Sequence, residues 1–328
     1  MKNILVTGGA GFIGSNLVEE LVKRGYNVSV LDNLTIVKTY NLNKVLNKII
    51  FENGDIRNRE LVDSLIKGKD YVVNLAAVSS SQMFEPSPIE GYEVNVNGFI
   101  NILDASVKYN IKNVVYASTS SLYSRIKPPH KEDAMIQPRT FYEATKLENE
   151  TLARIYYELH GLKSVGLRFF AVYGPHEIHK GRYCNMVSQW IWGMMKDERI
   201  AKAGRWDKET KDYIWKQPEI WGDGTQTRDF TYVTDIVEGI IKSLESNYSG
   251  VLNLGYGKAY TLNDLVRIIN EKLGTNIKPK YIPNPLKNYV MYTLADTNLA
   301  KEKIEFKAKI SLEEGVERLI KFYRETLS

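Results

Sequence analysis

Thr7-Gly8-Gly9-Ala10-Gly11-Phe12-Ile13-Gly14 joins an apolar run, Ile4-Leu5-Val6, to an amphipathic segment. Three of its glycines, Gly9, Gly11 and Gly14, have the spacing G-x-G-x-x-G. Glycine permits a tight turn, a close approach of the backbone to a pyrophosphate, and close packing of a helix on a strand. The first turn of the helix would present free N–H groups to an anion. Because a strand precedes the motif and a helix follows it, the sequence predicts a dinucleotide site. The alternative is an ordinary turn between a strand and a helix.

Two acidic residues follow the next apolar runs. Asp32 ends the second run, where a carboxylate would accept hydrogen bonds from both ribose hydroxyls of an adenosine and repel a 2′-phosphate. This position favours NAD over NADP, unless Asp32 is simply a turn residue. Asp55 ends the third run and has two interpretations: it bonds the adenine amino group, or it caps a helix that starts near Arg57.

Short apolar runs alternate with amphipathic segments through the first half of the chain. The runs predict strands at Ile4–Thr7, Val28–Leu31, Ile49–Phe51, Tyr71–Leu75, Val114–Ser118 and Ser164–Phe169. The segments between them predict helices, among them Ile13–Arg24, Leu61–Ile66, Ile89–Tyr109 and Phe141–His160. Such alternation, with strands that are apolar throughout, indicates an α/β fold with a doubly wound parallel sheet of the Rossmann type.

The rhythm changes after Tyr173. Further helices are predicted at Lys180–Met195, Val233–Leu244, Leu262–Lys272, Leu299–Ile304 and Leu312–Leu327, and further strands at Pro218–Trp221 and Val251–Leu254. Ile200–Gln217 has no clear period. We therefore predict a dinucleotide-binding domain at residues 1–173 and 229–257. A smaller, discontinuous α+β substrate lobe would comprise residues 174–228 and 258–328.

Composition narrows the classes of function. The chain has 328 residues with 44 basic and 39 acidic side chains, a mild net charge of +5 and no long basic run, which argues against a nucleic-acid partner. A lone cysteine, Cys184, excludes an internal disulfide. His176 and His179 lack a third ligand nearby, so no metal is expected. No signal peptide or membrane span is visible, which predicts a cytoplasmic protein without a membrane partner.

Tyr142 and Lys146 form a Tyr-x-x-x-Lys pair that a helix would place on one face. A free tyrosine has a pKa of about 10, but an ammonium and a cationic nicotinamide beside it favour the phenolate, a usable general base. The strand before it ends in a hydroxyl cluster, Ser118–Tyr123, which could hold a substrate oxygen. The alternatives are a surface Tyr/Lys pair and a polar turn.

Together these motifs resemble the extended short-chain dehydrogenases/reductases, in particular the nucleotide-sugar epimerases and dehydratases such as the UDP-glucose 4-epimerases. The resemblance covers nearly the whole chain and rests on Thr7–Gly14, Asn74–Ala77, Asn95–Gly98, Ser118–Tyr123, Tyr142–Lys146, Leu167–Pro175 and Gly222–Phe230. It implies Thr119 as the catalytic hydroxyl, Tyr142 as the base and Lys146 as a further ligand of the nicotinamide ribose. It also implies a homodimer formed through Ile89–Tyr109 and Phe141–His160.

The predicted binding residues fall into two groups. The motifs and the resemblance together give a cofactor group: Gly8, Gly11, Phe12, Ile13, Gly14, Asp32, Asn33, Asp55, Ile56, Leu75, Ala76, Ala77, Asn95, Ser118, Tyr142, Lys146 and Phe169. The substrate group is Thr119, Lys180, Arg228 and Tyr289. Arg228 would meet a pyrophosphate or ribose, a task that suits a guanidinium, or it is a surface arginine. Lys180 and Tyr289 would touch phosphate or sugar, or they have surface and packing roles.

The reaction is inferred from residues beside the catalytic hydroxyl. Related 4,6-dehydratases carry Asp-Glu there, and decarboxylases commonly keep a glutamate, whereas this chain has Ser120 and Ser121. Neither serine can take a proton from carbon at neutral pH. The resemblance therefore favours a 4-epimerase of the UDP-glucose/UDP-galactose type, which oxidises its nucleotide-sugar (most simply a UDP-sugar) to a 4-keto-sugar and reduces it again.

Departures from the family pattern keep alternatives open. Ala171 and His176 replace a usual Asn and Arg. The stretch Gly174–Gly181, with Leu286–Tyr289 and Ala295-Asp296, looks more like the ADP-heptose 6-epimerases. A non-catalytic NAD-binding sensor is a third possibility, although such proteins typically lose the tyrosine or the lysine. The segment Ile200–Gln217 looks like an insertion, with a lid and an oligomer contact as hypotheses.

Overall fold

A parallel sheet forms the centre of the molecule. The computed structural model describes residues 2–36, 38–195, 206–207, 212–213, 217–285 and 289–326. The sheet contains β1 (Asn3–Thr7), β2 (Asn27–Asp32), β3 (Ile50–Asn53), β4 (Tyr71–Asn74), β5 (Asn113–Thr119), β6 (Ser164–Phe169) and β7 (Gly250–Leu254). Their order is β7-β6-β5-β4-β1-β2-β3, and every pairing between neighbours is parallel. The predicted Rossmann-type sheet is confirmed.

Helices cover both faces of this sheet and continue beyond it. They are α1 (Phe12–Lys23), α2 (Arg59–Ile66), α3 (Ser81–Phe84), α4 (Pro88–Tyr92), α5 (Gly98–Lys108), α6 (Phe141–His160), α7 (Met186–Met195), α8 (Val233–Glu245), α9 (Leu262–Leu273), α10 (Asn298–Ile304) and α11 (Leu312–Thr326). Alternate residues of β1 point to opposite faces, as in any strand. Ile4 packs in a cluster with Leu17 of α1 and Ile240 of α8, whereas Leu5 packs in a second cluster with Phe99 of α5. Burial on both faces explains why the central residues of β1, Ile4, Leu5 and Val6, are all apolar.

A third apolar cluster holds the later segments together. It includes Val187 and Trp192 of α7, Leu265 of α9 and Leu319 of α11. Short strand pairs surround it: Val172–Tyr173 with Thr231–Tyr232, Glu219–Trp221 with Lys280–Ile282, and Thr227–Arg228 with Tyr260–Thr261. The smaller α+β lobe is therefore present, while its boundaries at 173/174, 228/229 and 257/258 stay a prediction.

Two predicted helices differ from the structure. The helix expected at Lys180–Met195 is wrong in its first part, because a 3₁₀ segment, Ile178–Tyr183, contains Gly181 at φ 56° and ψ −125° and α7 begins at Met186. The expected helix Ile89–Tyr109 is instead α4, a π-helical turn at Glu93–Asn97, and α5. A π turn shifts the helical register, which apolar spacing alone does not reveal.

Most of the segment Ile200–Gln217 lies outside the described residues, as do residues 286–288 of the heptose-epimerase resemblance. The two described pieces, Trp206–Asp207 and Asp212–Tyr213, pair as antiparallel strands. Across the described ranges, every helix is too short or too polar to cross a membrane.

Candidate active site

The carboxyl ends of the strands meet at one edge of the sheet, and a cavity of about 390 Å³ opens there. Strands β2 and β3 lie on one side of β1, and β4 to β7 lie on the other side, so the strand order reverses at β1. The cavity lies at this reversal, which is the usual ligand crevice of such sheets. Most of the predicted cofactor group lines it: Gly8, Gly11, Phe12, Ile13, Gly14, Asp32, Asn33, Asp55, Ile56, Leu75, Ala76, Ala77, Lys146 and Phe169.

The glycine-rich turn is shaped for close backbone approach. Gly8 has φ +68°, and a Cβ there would lie 2.7 Å from the amide nitrogen of Ala76. A Cβ on Gly14 would lie 2.2 Å from the carbonyl oxygen of Gly8. Helix α1 starts at Phe12 after Gly11, which provides no side-chain cap, so the first N–H groups of the helix remain available to a ligand. The turn therefore fits a dinucleotide pyrophosphate.

Asp32 lies at the end of β2 on the pocket wall. Its Oδ2 accepts a hydrogen bond from the Ala10 amide at 3.0 Å, and its Oδ1 accepts one from the Leu34 amide at 2.9 Å. Burial raises the pKa of Asp32, and these backbone hydrogen bonds oppose that effect. Two backbone amides thus fix the carboxylate on the cavity wall, and its contact with a ribose stays a prediction.

Asp55 has a partner that the sequence analysis missed. Burial alone would raise its pKa, but hydrogen bonds from Arg57 outweigh that effect and lower the pKa to about 2. Arg57 donates from Nε to Oδ1 and from Nη2 to Oδ2, both at 2.9 Å, and Asn33 Nδ2 donates to Oδ2 at 3.0 Å. The capping alternative is wrong, because α2 begins at Arg59 and Asn58 caps it by accepting from the Leu61 amide. The adenine contact stays a prediction.

Tyr142 and Lys146 lie on one face of α6, beside the end of β5. Helix α6 begins at Phe141 and is capped by Thr140. Tyr142 is 8 % exposed and Lys146 4 %. Lys146 Nζ donates to the Ala117 carbonyl oxygen at 2.9 Å and lies 5.9 Å from the centroid of the Tyr142 ring. The Thr119 hydroxyl forms a hydrogen bond with the Tyr142 phenol. The structure thus brings the three predicted catalytic residues together.

The electrostatics of this triad differ from the expectation. Burial raises the pKa of Tyr142, and the hydrogen bond with Thr119 opposes only part of that rise. Burial also lowers the pKa of Lys146 to about 8, against the effect of Glu150. The protein alone therefore does not lower the pKa of Tyr142. A second cation, the cationic nicotinamide, is needed to favour the phenolate.

Three predicted cofactor residues, Asn95, Ser118 and Tyr142, are not among the described residues that line the pocket. Asn95 is buried; its Oδ1 accepts from the Val78 amide at 2.8 Å and its Nδ2 donates to Thr145 Oγ1 at 3.1 Å. Ser118 Oγ donates to Glu150 Oε1 at 2.5 Å. Their direct contact with a cofactor stays a prediction. The sequence analysis also missed wall residues from the loops after β2, β3 and β4, from α3 and from α4: Thr35, Ile36, Arg57, Val78, Ser79, Met83 and Glu90. Only their positions after strand ends could have indicated them.

The predicted substrate residues separate into two places. The Arg228 guanidinium carbon lies 5.2 Å from the centroid of the Tyr289 ring, and Nη1 donates to the carbonyl oxygens of Thr227 at 2.8 Å and Met291 at 3.2 Å. Both side chains are half-buried, so neither is a plain surface residue. Lys180 instead lines the cofactor cavity, with Nζ 5.5 Å from the centroid of the Phe12 ring. The structure therefore groups Arg228 with Tyr289 and puts Lys180 beside the glycine-rich turn.

Comparison with known proteins agrees with this arrangement. The model of the NAD dependent epimerase/dehydratase family matches residues 4–255. A putative UDP-glucose 4-epimerase of Methanocaldococcus jannaschii is 33% identical over 324 residues, 98% of each chain. A UDP-glucuronate 4-epimerase of Thermodesulfobacterium geofontis is 34% identical over 338 residues, 100% of this chain and 98% of the relative. The solved structure of a UDP-N-acetylglucosamine 4-epimerase from Methanobrevibacter ruminantium M1, in complex with UDP-N-acetylmuramic acid, superposes with a TM-score of 0.88 at 32% identity over 99% of both chains.

Proposed function

We propose that this chain, which belongs to the NAD-dependent epimerase/dehydratase family, is a nucleotide-sugar 4-epimerase. It oxidises the C4 hydroxyl of its substrate to a 4-keto-sugar and reduces it again with inversion. The observation that carries this proposal is the juxtaposition of Tyr142, Thr119 and Lys146, of which Lys146 lines the cofactor cavity.

Each group of residues has a separate task in this reaction. The backbone of the glycine-rich turn holds the pyrophosphate of the cofactor, and Asp32 holds the adenosine ribose. When bound, NAD supplies the acceptor for the hydride that leaves C4. Tyr142 takes the proton of the C4 hydroxyl while Thr119 shares a hydrogen bond with both oxygens. The Lys146 ammonium stabilises the phenolate. Arg228 binds the diphosphate of the substrate.

Ser120 and Ser121 support epimerisation over dehydration or decarboxylation. They form the start of a 3₁₀ turn, Ser120–Tyr123, directly after Thr119. A serine hydroxyl does not act as a base toward carbon at neutral pH. The keto-sugar therefore meets no group at these positions that would remove a further proton, and return of the hydride is the available step.

We further propose that the substrate is a UDP-sugar. In support, three similar proteins are named for UDP-glucose, UDP-glucuronate and UDP-N-acetylglucosamine. The position of Lys180 on the cavity wall keeps a 6-epimerase as the second candidate, because its ammonium could reach a sugar there.

A cytoplasmic homodimer is also proposed. Apolar side chains on α4 and α6 support it: Ile89 is 77% exposed, Phe141 57% and Leu159 71%. Both helices belong to the segments that the family resemblance assigns to the dimer, where a partner subunit would cover these side chains.

The test is to incubate the purified protein, without added cofactor, with a panel of UDP-, ADP-, GDP- and dTDP-sugars and to follow the products by NMR. We expect a UDP-sugar inverted at C4. Conversion of ADP-heptose alone would replace this proposal by 6-epimerisation. Retained NAD without conversion of any sugar would favour the sensor.

A further inference from the structure

A buried ion pair lies beside the catalytic helix, between Glu150 of α6 and Arg168 of β6. Arg168 donates from Nε to Oε1 at 2.9 Å and from Nη2 to Oε2 at 2.7 Å, and the two side chains are 4% and 7% exposed. Ser118 donates to the same Oε1 at 2.5 Å. Both carboxylate oxygens are thus fixed by a bidentate guanidinium and a hydroxyl.

Stability alone is a weak explanation for this pair. Removing two charges from water costs about as much as their attraction returns, and apolar replacements are often neutral or stabilising. The placement of Glu150 on α6 suggests another explanation. It follows Lys146 by four residues and Tyr142 by eight, so along the helix axis its Cα lies about one turn from that of Lys146 and about two turns, roughly 12 Å, from that of Tyr142.

Among the charged and titratable groups around Glu150, Lys146 is the cation that has no ion-pair partner within the described chain. The charge of Glu150 acts on Lys146 of its own helix and on Tyr116 of β5. Its partner Arg168 also donates to the Tyr123 hydroxyl and to the carbonyl oxygen of Glu132. Burial raises the pKa of Tyr116 well above its usual value and that of Tyr123 to about 12, so both are neutral. Within the described chain, Lys146 forms no ion pair and donates to a neutral carbonyl oxygen, that of Ala117.

We propose that Glu150 is a positioning residue for the epimerisation: its carboxylate, fixed by Arg168 and Ser118, keeps the proton on Lys146, so that the catalytic pair loses its proton from Tyr142. The inference rests on the proposed function. When Tyr142 and Lys146 together have lost one proton, the pair is either a phenolate with an ammonium or a phenol with an amine. The total charge of the pair is the same in both states. A carboxylate closer to the amine than to the phenol favours phenolate with ammonium. Burial of Lys146 works in the opposite direction, and Glu150 opposes it.

The test is E150Q in the protein purified with its cofactor. The pH midpoint of Lys146 is read from the carbon-13 shift of its Cε in lysine-labelled protein, with the signal assigned by its absence in K146M. We expect E150Q to lower this midpoint by about one pH unit, since a charge one turn away acts through a partly shielded interior. The alkaline limb of kcat/KM should move to lower pH by the same amount.

Two control variants separate charge from packing. E150D keeps the charge but shortens the side chain, so it should disturb packing at least as much as E150Q and yet keep the midpoint near that of the unaltered protein. E148Q makes the same chemical change on the exposed side of α6 and should leave the midpoint in place. An unchanged midpoint in E150Q, or equal shifts in E150D and E150Q, would overturn the proposal.

Two further results are distinguishable. If E150Q does not fold, E150Q/R168Q, which leaves neither charge unpaired, should lower the midpoint in the same direction, because Glu150 and not Arg168 acts on the pKa of Lys146; no shift there would also overturn the proposal. Because the NMR titration needs no substrate, a lowered midpoint in a protein that epimerises no sugar would support the role of Glu150 and contradict the proposed function.

Discussion

The glycine-rich turn and the surroundings of Arg228 both carry predicted binding residues, but they are assembled differently. In the turn, the decisive contacts join residues close in sequence, such as the Gly11 amide and the Gly8 carbonyl oxygen at 3.2 Å. Arg228 instead contacts the Met291 carbonyl oxygen and the Tyr289 ring, about sixty positions further along the chain. A local site can be recognised from its motif, whereas a site formed by distant segments can be recognised only after folding.

The largest effect should come from the catalytic helix. Tyr142→Phe removes the general base and should lower kcat by about 10²- to 10⁴-fold. The amount of NAD in the purified protein should stay the same, because the glycine-rich turn holds the cofactor. Initial rates measure kcat, and the NAD released on denaturation measures the cofactor content of the purified protein. Tyr157→Phe, on the same helix but 47% exposed, is the matched control. Full activity in Tyr142→Phe would show that the local site has been misassigned.

The next effect concerns the turn itself. Gly14→Ala places a methyl group 2.2 Å from the Gly8 carbonyl oxygen and 2.8 Å from the Gly9 Cα, and both are backbone atoms. We expect the free energy of unfolding to fall by about 1–3 kcal/mol, as in other overpacked sites. Gly11→Ala meets the same Gly8 oxygen at 3.2 Å and should cost less. Urea denaturation of both variants tests this order; equal losses would mean that the turn relaxes easily.

The smallest effect should come from the distant segments. Arg228→Ala removes a charged hydrogen-bond donor and should raise KM for the nucleotide-sugar about tenfold, with kcat and NAD content little changed. Lys180→Ala is the contrasting variant. Because Lys180 lines the cofactor cavity, it should lower NAD retention more than it raises KM. Steady-state kinetics measure KM, and a cofactor assay measures NAD retention. If Arg228→Ala mainly lowered NAD retention and Lys180→Ala mainly raised KM, Arg228 would be assigned to the cofactor and Lys180 to the substrate.

Residue type alone left the partners of two predicted site residues open, one decided by a local contact and the other by a contact between elements. Asp55 was given adenine binding or helix capping as its alternatives, but its ion pair with Arg57 and the cap at Asn58 were not foreseen. For Ser118 the contact with the cofactor stays a prediction, and the structure adds a partner in another element, since its hydroxyl donates to Glu150. In each case the residue type allowed several partners, and packing selected one of them.

The sequence by itself determined the parallel sheet, the glycine-rich turn and the position of Tyr142 and Lys146 on one face of a helix. The sheet depends on the spacing of apolar residues, the turn on glycines that lack a Cβ, and the helix face on a four-residue spacing. Residues close together in sequence fix all three properties. Only the tertiary structure decided which residues contact Arg228, where Lys180 lies, and that Glu150 pairs with Arg168. Those contacts join separate elements, and their energies depend on burial, which no local pattern specifies.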